Sequence, residues 1–118
     1  MENMKSIEEN VLLYTSAWNE TEREVISKKI DQCWSAQGTF TDKVTETITG
    51  REAIIDLIIK SYNETGPKNF SVMEEPVTHH RSGNYRWINI PAEGYPAQGM
   101  DYFEFDEQNQ ITRIIGFF

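Results

Sequence analysis

Apolar positions recur every three to four residues through the first half of the chain and every second residue through the second half, so the period changes from helical to extended near residue 69. Ile7, Val11, Tyr14 and Trp18 form one helical stripe, which Leu12 and Thr15 widen. Val25, Ile26, Ile30, Cys33 and Trp34 form a second, which stops at Gly38; Ile54, Ile55, Leu57, Ile58 and Tyr62 form a third, which stops at Gly66-Pro67. Each predicted helix opens with a hydroxyl residue followed three positions later by Glu: Ser6 with Glu9, Thr21 with Glu24, and Thr49 with Glu52. Such pairs satisfy backbone N–H groups that a helix start leaves without partners. Between the second and third helices, the β-branched and aromatic run from Thr39 to Val44 predicts a strand, followed by polar turn residues up to Gly50.

The second half predicts strands near 69–80, 84–91, 97–106 and 110–117, separated by Arg81-Ser82-Gly83, the Pro91 to Pro96 loop and Asp106-Glu107-Gln108-Asn109. Helices followed by an antiparallel meander argue for an α+β domain in which a curved sheet wraps one layer of helices. A two-residue turn at Ser82-Gly83 sets His79 opposite Arg86 and Val77 opposite Ile88, on an apolar face shared with Met73 and Ile90. Thr78, His80, Tyr85 and Trp87 then take the other face, where they meet solvent or a second subunit, and a one-residue slip exchanges these assignments. In Met100-Asp101-Tyr102-Phe103-Glu104-Phe105, alternation puts the Asp101 carboxyl on one face with Phe103 and Phe105. An ionised carboxylate costs several kcal/mol in apolar surroundings unless it is paired, hydrogen-bonded or protonated, so Asp101 is either at an edge or in a polar site.

Composition narrows the partners. The 118 residues fit one domain, 1–118, and 19 acidic against 11 basic residues give a formal charge of −8. That charge repels phosphate backbones and anionic lipid, which excludes nucleic acid and membrane surfaces as expected partners. The one cysteine, Cys33, forms no internal disulfide, and no apolar run is long enough for a signal peptide or a spanning helix, so a cytoplasmic setting is expected. His79 and His80 are adjacent, point to opposite strand faces and lack further ligands, so no metal and no cofactor are expected.

Three acid or phenol groups stand in apolar settings: Tyr14 on the inward helix stripe, Asp42 at the end of the first strand, and Asp101. Brought to one cavity, an ionised Asp acts as base while a phenol and a protonated carboxyl donate to a developing oxyanion, which is the chemistry of enolisation or an aldol-like step. His79 and Arg86, projecting from an apolar face, point to an oxygenated or anionic ligand. Each residue also has a structural alternative. Tyr14 is then a core aromatic, Asp42 a turn residue bonding its own backbone, and Asp101 a salt-bridge partner of Arg86 or Arg113.

A capped helix with Tyr14 and Trp18, a second helix with Trp34, the strand Gly38-Thr39-Phe40-Thr41-Asp42, the Gly50-Arg51-Glu52-Ala53-Ile54 helix start and a closing sheet ending Arg113-Ile114-Ile115-Gly116-Phe117-Phe118 occur here in a characteristic order. In that order the chain resembles the nuclear transport factor two-like superfamily, and within it the SnoaL-like and ketosteroid isomerase-like branches. The resemblance implies a cone-shaped α+β fold, three N-terminal helices packed in a strongly curved mixed or antiparallel sheet, with a deep pocket. It implies Asp42 as general base and Tyr14 with Asp101 as oxyanion donors. Supporting tyrosines of the family are replaced at the matching positions by Ile58 and Trp34, and Lys43 follows the base. The expected ligand-contacting set is then Trp34, Ile58, His79, Arg86 and Phe103. A small molecule of apolar and carbonyl or carboxylate character is the expected partner, in an isomerase or cyclase, or in a non-catalytic binding or dimeric interaction module. Homodimerisation is expected through the outer sheet face, with Tyr85, Trp87 and Tyr102.

Overall fold

The computed structural model describes residues 4–118. Three helices, α1 (Ile7–Ala17), α2 (Arg23–Cys33) and α3 (Arg51–Thr65), pack on a sheet of seven strands: β1 (Trp34–Asp42), β2 (Thr45–Thr49), β3 (Phe70–Val72), β4 (Val77–His79), β5 (Ser82–Asn89), β6 (Ala97–Phe105) and β7 (Ile111–Phe117). The strand order is β2-β1-β7-β6-β5-β3, with β4 also pairing on β5. The expected meander is present in β5, β6 and β7, all antiparallel, while β1 joins the other edge of β7 in parallel, so the sheet is mixed and open. Register shifts in β1, between Trp34 and Thr39 and between Phe40 and Asp42, bend this strand where it meets the helices. No described helix is long and apolar enough to cross a membrane.

The inward helix faces form the core as the periodicity predicts, with Ile7, Val11, Tyr14, Ile26, Ile30, Ile54 and Ile58 buried. Leu12 departs from its stripe and is 54% exposed, and Asn10 and Ala17 are buried in its stead. Of the three expected capping boxes only the first forms, with the Glu9 N–H donating to Ser6 Oγ at 3.0 Å and the Ser6 N–H to Glu9 Oε1 at 2.9 Å. The N-cap residues of α2 and α3 are Glu22 and Gly50, without side-chain caps. Thr49 is held in β2 opposite Thr39, and the next residue donates its N–H to Gly38 O, so the sheet edge displaces the expected box.

Two further expectations are corrected. The second helix does not continue to Gly38: Trp34 is already extended, and Ala36 and Gln37 belong to β1. Arg51 Nε donates to Trp34 O at 2.7 Å, and the Trp34 indole lies so close over Gly38 that a Cβ there would meet it at 2.5 Å. Likewise, the polar residues after Val44 form β2 rather than a turn.

The hairpin register also differs. His79 lies opposite Ser82 rather than Arg86, and the turn residues are His80 and Arg81, with φ of 50° and 58°. Gly83 is a strand residue instead of a turn residue, because a Cβ on it would stand 2.4 Å from Val77 O and 3.0 Å from the Phe103 ring. The expected faces are exchanged as well. Tyr85 pairs with Asp101 and Gly83 with Phe103, so Tyr85 and Trp87 face the helices while Arg86, His79 and Tyr102 stand on the convex side. Of the aromatic residues expected on an outer interface, only Tyr102 lies there, and its hydroxyl donates to Glu104 Oε2 at 2.6 Å. The buried aromatic neighbourhood of Phe103 decides this orientation, whereas Met73, Val77 and Ile90, expected to share an apolar face with Arg86, are exposed.

Candidate functional site

Between the helices and the concave sheet face lies a cavity of about 640 Å³. Its inner end is polar. Asp101 reaches it from the middle of β6, Asp42 from the end of β1, and Tyr14 from α1. Asp42 and Asp101 stand on strands that flank β7, where Gly116 pairs with Asp101 and the neighbouring Ile115 with Thr41. A Cβ at Gly116 would lie 3.3 Å from Asp101 Oδ1 and 3.4 Å from Asp42 Cβ, so this glycine keeps open the space between the two carboxyl-bearing side chains.

Asp101 is 8% exposed, and both of its oxygens are engaged: the Tyr85 hydroxyl donates to Oδ2 at 2.7 Å and the Trp87 indole N–H to Oδ1 at 3.2 Å. Burial pushes its carboxyl up to about 6; the bonds from Tyr85 and Trp87 oppose that rise, and the charge of Asp42 adds to it. The salt-bridge alternative is not realised. Arg86 takes both oxygens of Glu74 at 2.8 and 3.1 Å, and Arg113 lies 3.9 Å from Glu104. Tyr14 is buried, its ring stacked on Trp34 with centroids 5.3 Å apart. Burial, and after it the charge of Asp101, raise the Tyr14 phenol well above its ordinary range, and the same two causes raise Tyr85. Both phenols therefore remain protonated donors at ordinary pH. Asp42 is half-buried; its Oδ1 accepts the Val44 N–H at 2.9 Å, so it serves the turn and lines the cavity at once.

Aromatic rings form much of the wall. Trp18 lies 5.9 Å from Phe40 and 6.2 Å from Phe70, and Phe70 meets Trp87 edge-on at 5.2 Å. Lys60, Ser61 and Glu64 of α3 contribute the polar rim. The structure thus brings Tyr14, Asp42 and Asp101 to one cavity. It places Trp34, Ile58 and Phe103 in the core behind that cavity and His79 and Arg86 on the convex face, away from it. Tyr85 and Trp87, which orient Asp101, were expected on the outer face. Their signal is the alternation Gly83, Tyr85, Trp87 set against Phe103, Asp101, Gly99, which fits once the turn is placed at His80-Arg81. Gly99 completes it, since a Cβ there would meet the Trp87 ring at 2.3 Å. Cys33 is buried and its thiol is pushed up to about 12 by burial, which leaves it without nucleophilic character. Among the described residues no group of three or more His, Cys, Asp or Glu side chains is placed to hold a metal ion.

Helices inside an open mixed sheet, with a cavity between them, are shared with solved structures. A SnoaL-like family protein from Agrobacterium tumefaciens strain C58, provisionally named an isomerase, is 21% identical over 92% of this chain and 93% of its own, with a TM-score of 0.83. The chain has the nuclear transport factor two-like fold. A protein from Catenulispora acidiphila with a ketosteroid isomerase-like fold, in complex with trimethylamine, matches at 16% identity over 93% of this chain and 85% of its own, with a TM-score of 0.74. A nuclear transport factor two-like protein of unknown function from Exiguobacterium sp. 255-15 matches at 14% identity over 92% and 96%, with a TM-score of 0.72. No protein-family model matches the sequence, and no curated protein matches it. At these identities the nuclear transport factor two-like likeness is one of fold.

Proposed function

We propose that the chain is a small-molecule enzyme of isomerase type, which moves a proton at carbon next to a carbonyl group. The observation that carries this reading is Asp101: a carboxyl buried in an aromatic cavity, oriented by Tyr85 and Trp87, and raised to about 6. A base works best when its proton affinity lies near the operating pH. Each Asp101 oxygen accepts one protein hydrogen bond and retains acceptor capacity toward the cavity. Asp101 removes a proton from the carbon alpha to the carbonyl, the C–H electron pair becomes the new carbon–carbon π bond, and the carbonyl oxygen takes the negative charge. Tyr14 donates its hydrogen bond to that oxygen; as the carbonyl re-forms, Asp101 returns the proton to the same carbon, which is exchange, or, where the substrate carries a C=C bond next to that carbon, to the far end of the resulting dienolate, so that the double bond shifts. The resemblance assigns the base to Asp42 and a donor role to Asp101; the two donors already aimed at Asp101 favour it as the proton acceptor, with Asp42 raising its affinity for the proton. The Catenulispora protein's complex with trimethylamine supports a small organic molecule as occupant.

The test is hydrogen–deuterium exchange at the α-carbons of butanone and cyclohexanone in D₂O, followed by nuclear magnetic resonance. The wild-type protein accelerates exchange, and Asp101→Asn and Tyr14→Phe each slow it by on the order of a hundredfold. A folded Asp101→Asn variant that exchanges at the wild-type rate would overturn the assignment of the base.

A further inference from the structure

We infer that the cavity selects an organic cation, a small molecule carrying a tertiary or quaternary ammonium group. The inference rests on the cavity being the ligand site, as proposed above, and adds the charge of its ligand. Three carboxyl residues, Asp42, Glu64 and Asp101, line the cavity against one cationic residue, Lys60. Lys60 and Glu64, both exposed on α3 with Nζ 3.9 Å from a carboxylate oxygen, offset each other at the mouth, which leaves Asp42 and Asp101 as the remaining carboxyls, while Lys43 of the adjoining turn stands over Phe118. The arginine that would have favoured an anionic ligand, Arg86, is on the convex face and paired with Glu74.

The walls suit the same ligand class. Trp18, Phe40, Phe70 and Trp87 line the cavity together with these carboxyls, and aromatic faces attract cations, most strongly where water is excluded. A cation already occupies one such face: Lys43 Nζ stands 4.6 Å over the ring of Phe118, which lines the cavity 6.2 Å from Trp87. An alkylammonium group suits this setting better than a primary ammonium, because its methyl groups cover apolar wall while its diffuse charge needs no dedicated hydrogen-bond acceptors. An anion would meet the Asp42 and Asp101 carboxyls there, with the Tyr85 hydroxyl and the Trp87 indole N–H already committed to Asp101 and Tyr14 left as a donor.

Three probes of one shape separate charge from fit: choline, its uncharged analogue 3,3-dimethylbutan-1-ol, and the anion 3,3-dimethylbutanoate. Binding is read from the Trp87 indole N–H resonance in titrations of the full chain. Choline is expected to bind at least about tenfold more tightly than the alcohol, and the anion more weakly than either. Asp101→Asn, in which the amide oxygen accepts from Trp87 and the amide N–H donates to the Tyr85 hydroxyl, should weaken choline about tenfold and leave the alcohol within about twofold. Trp18→Leu should also weaken choline more than the alcohol, and it keeps the carboxyls in place. Equal or tighter binding of the alcohol or the anion overturns the charge preference while leaving a small-molecule cavity and its proton chemistry intact. If none of the three moves the indole resonance, the cation assignment is overturned, and the ketone exchange assay still judges the proton-transfer reading independently.

Discussion

Asp101 concentrates the chemistry of this molecule in one side chain. Its carboxyl, raised from the ordinary 3.8 to about 6, keeps its proton in the folded chain at pH values where the unfolded chain has released it. Between those two values the unfolded state binds fewer protons than the native state, so stability falls as pH rises through this window and the penalty is complete above about 6. The size of this penalty is about 3 kcal/mol at one pH unit per 1.4 kcal/mol. Denaturant unfolding of the wild-type chain and Asp101→Asn from pH 4 to 7 should therefore show the variant gaining on the wild type as pH rises. In catalysis the same carboxyl must be ionised to act as base, so kcat/KM for ketone exchange should climb about tenfold per pH unit below 6 and level off above it. Trp87→Phe removes a hydrogen bond that favours the ionised form, and the midpoint of that profile should move upward. The carboxyl was legible in the sequence because strand alternation set it among phenylalanines. Its two donors were not, because Tyr85 and Trp87 read equally well on either face until the turn is fixed.

At the scale of elements, the turn between β4 and β5 explains that ambiguity. His80 and Arg81 both take positive φ, a conformation that costs most residues about 1–2 kcal/mol and that two-residue hairpins normally assign to Asn-Gly. The only glycine nearby, Gly83, is required two residues later for its closeness to β4 and Phe103, so local turn chemistry points to the wrong place. Replacing His80 by Asn together with Arg81 by Gly should raise the unfolding free energy by about 1–2 kcal/mol, measured by urea titration, without moving the cavity. A related conflict ends α2. Helical periodicity carries through Trp34, yet the stacking of its ring on Tyr14 and its packing over Gly38 recruit that residue to β1. Where a single apolar residue satisfies both periods, tertiary contacts choose between them, and periodicity alone places the boundary too late.

For the whole molecule, the order of helices and strands carried the fold: the three helices and the closing segment are present, the strand expected near 69–80 is split into β3 and β4 by residues 73–76, and α+β with a mixed sheet is the result. What composition added was charge. With a formal charge of −8, the folded chain repels itself, and screening should help it: the Tm should rise as sodium chloride increases from 10 to 150 mM, over which the Debye length shortens from about 30 to about 8 Å. A flat or falling Tm would mean that ion pairs such as Lys29 with Glu20 outweigh the net repulsion. Gly116 carries a different consequence at this scale. Asp101 pairs directly with Gly116 of β7, and Asp42 directly follows Thr41, which pairs with Ile115 of the same strand, so β7 sets the separation of the two carboxyls more than a loop does. The carboxyl pair therefore behaves as a fixed caliper within a cavity whose other wall, α3, belongs to a separate layer. A single methyl in its jaws, Gly116→Ala, displaces the Asp101 carboxyl by a few tenths of an ångström and should slow ketone exchange by about tenfold while the rest of the sheet keeps its register. A different ligand would be accommodated by re-carving α3, leaving the caliper untouched.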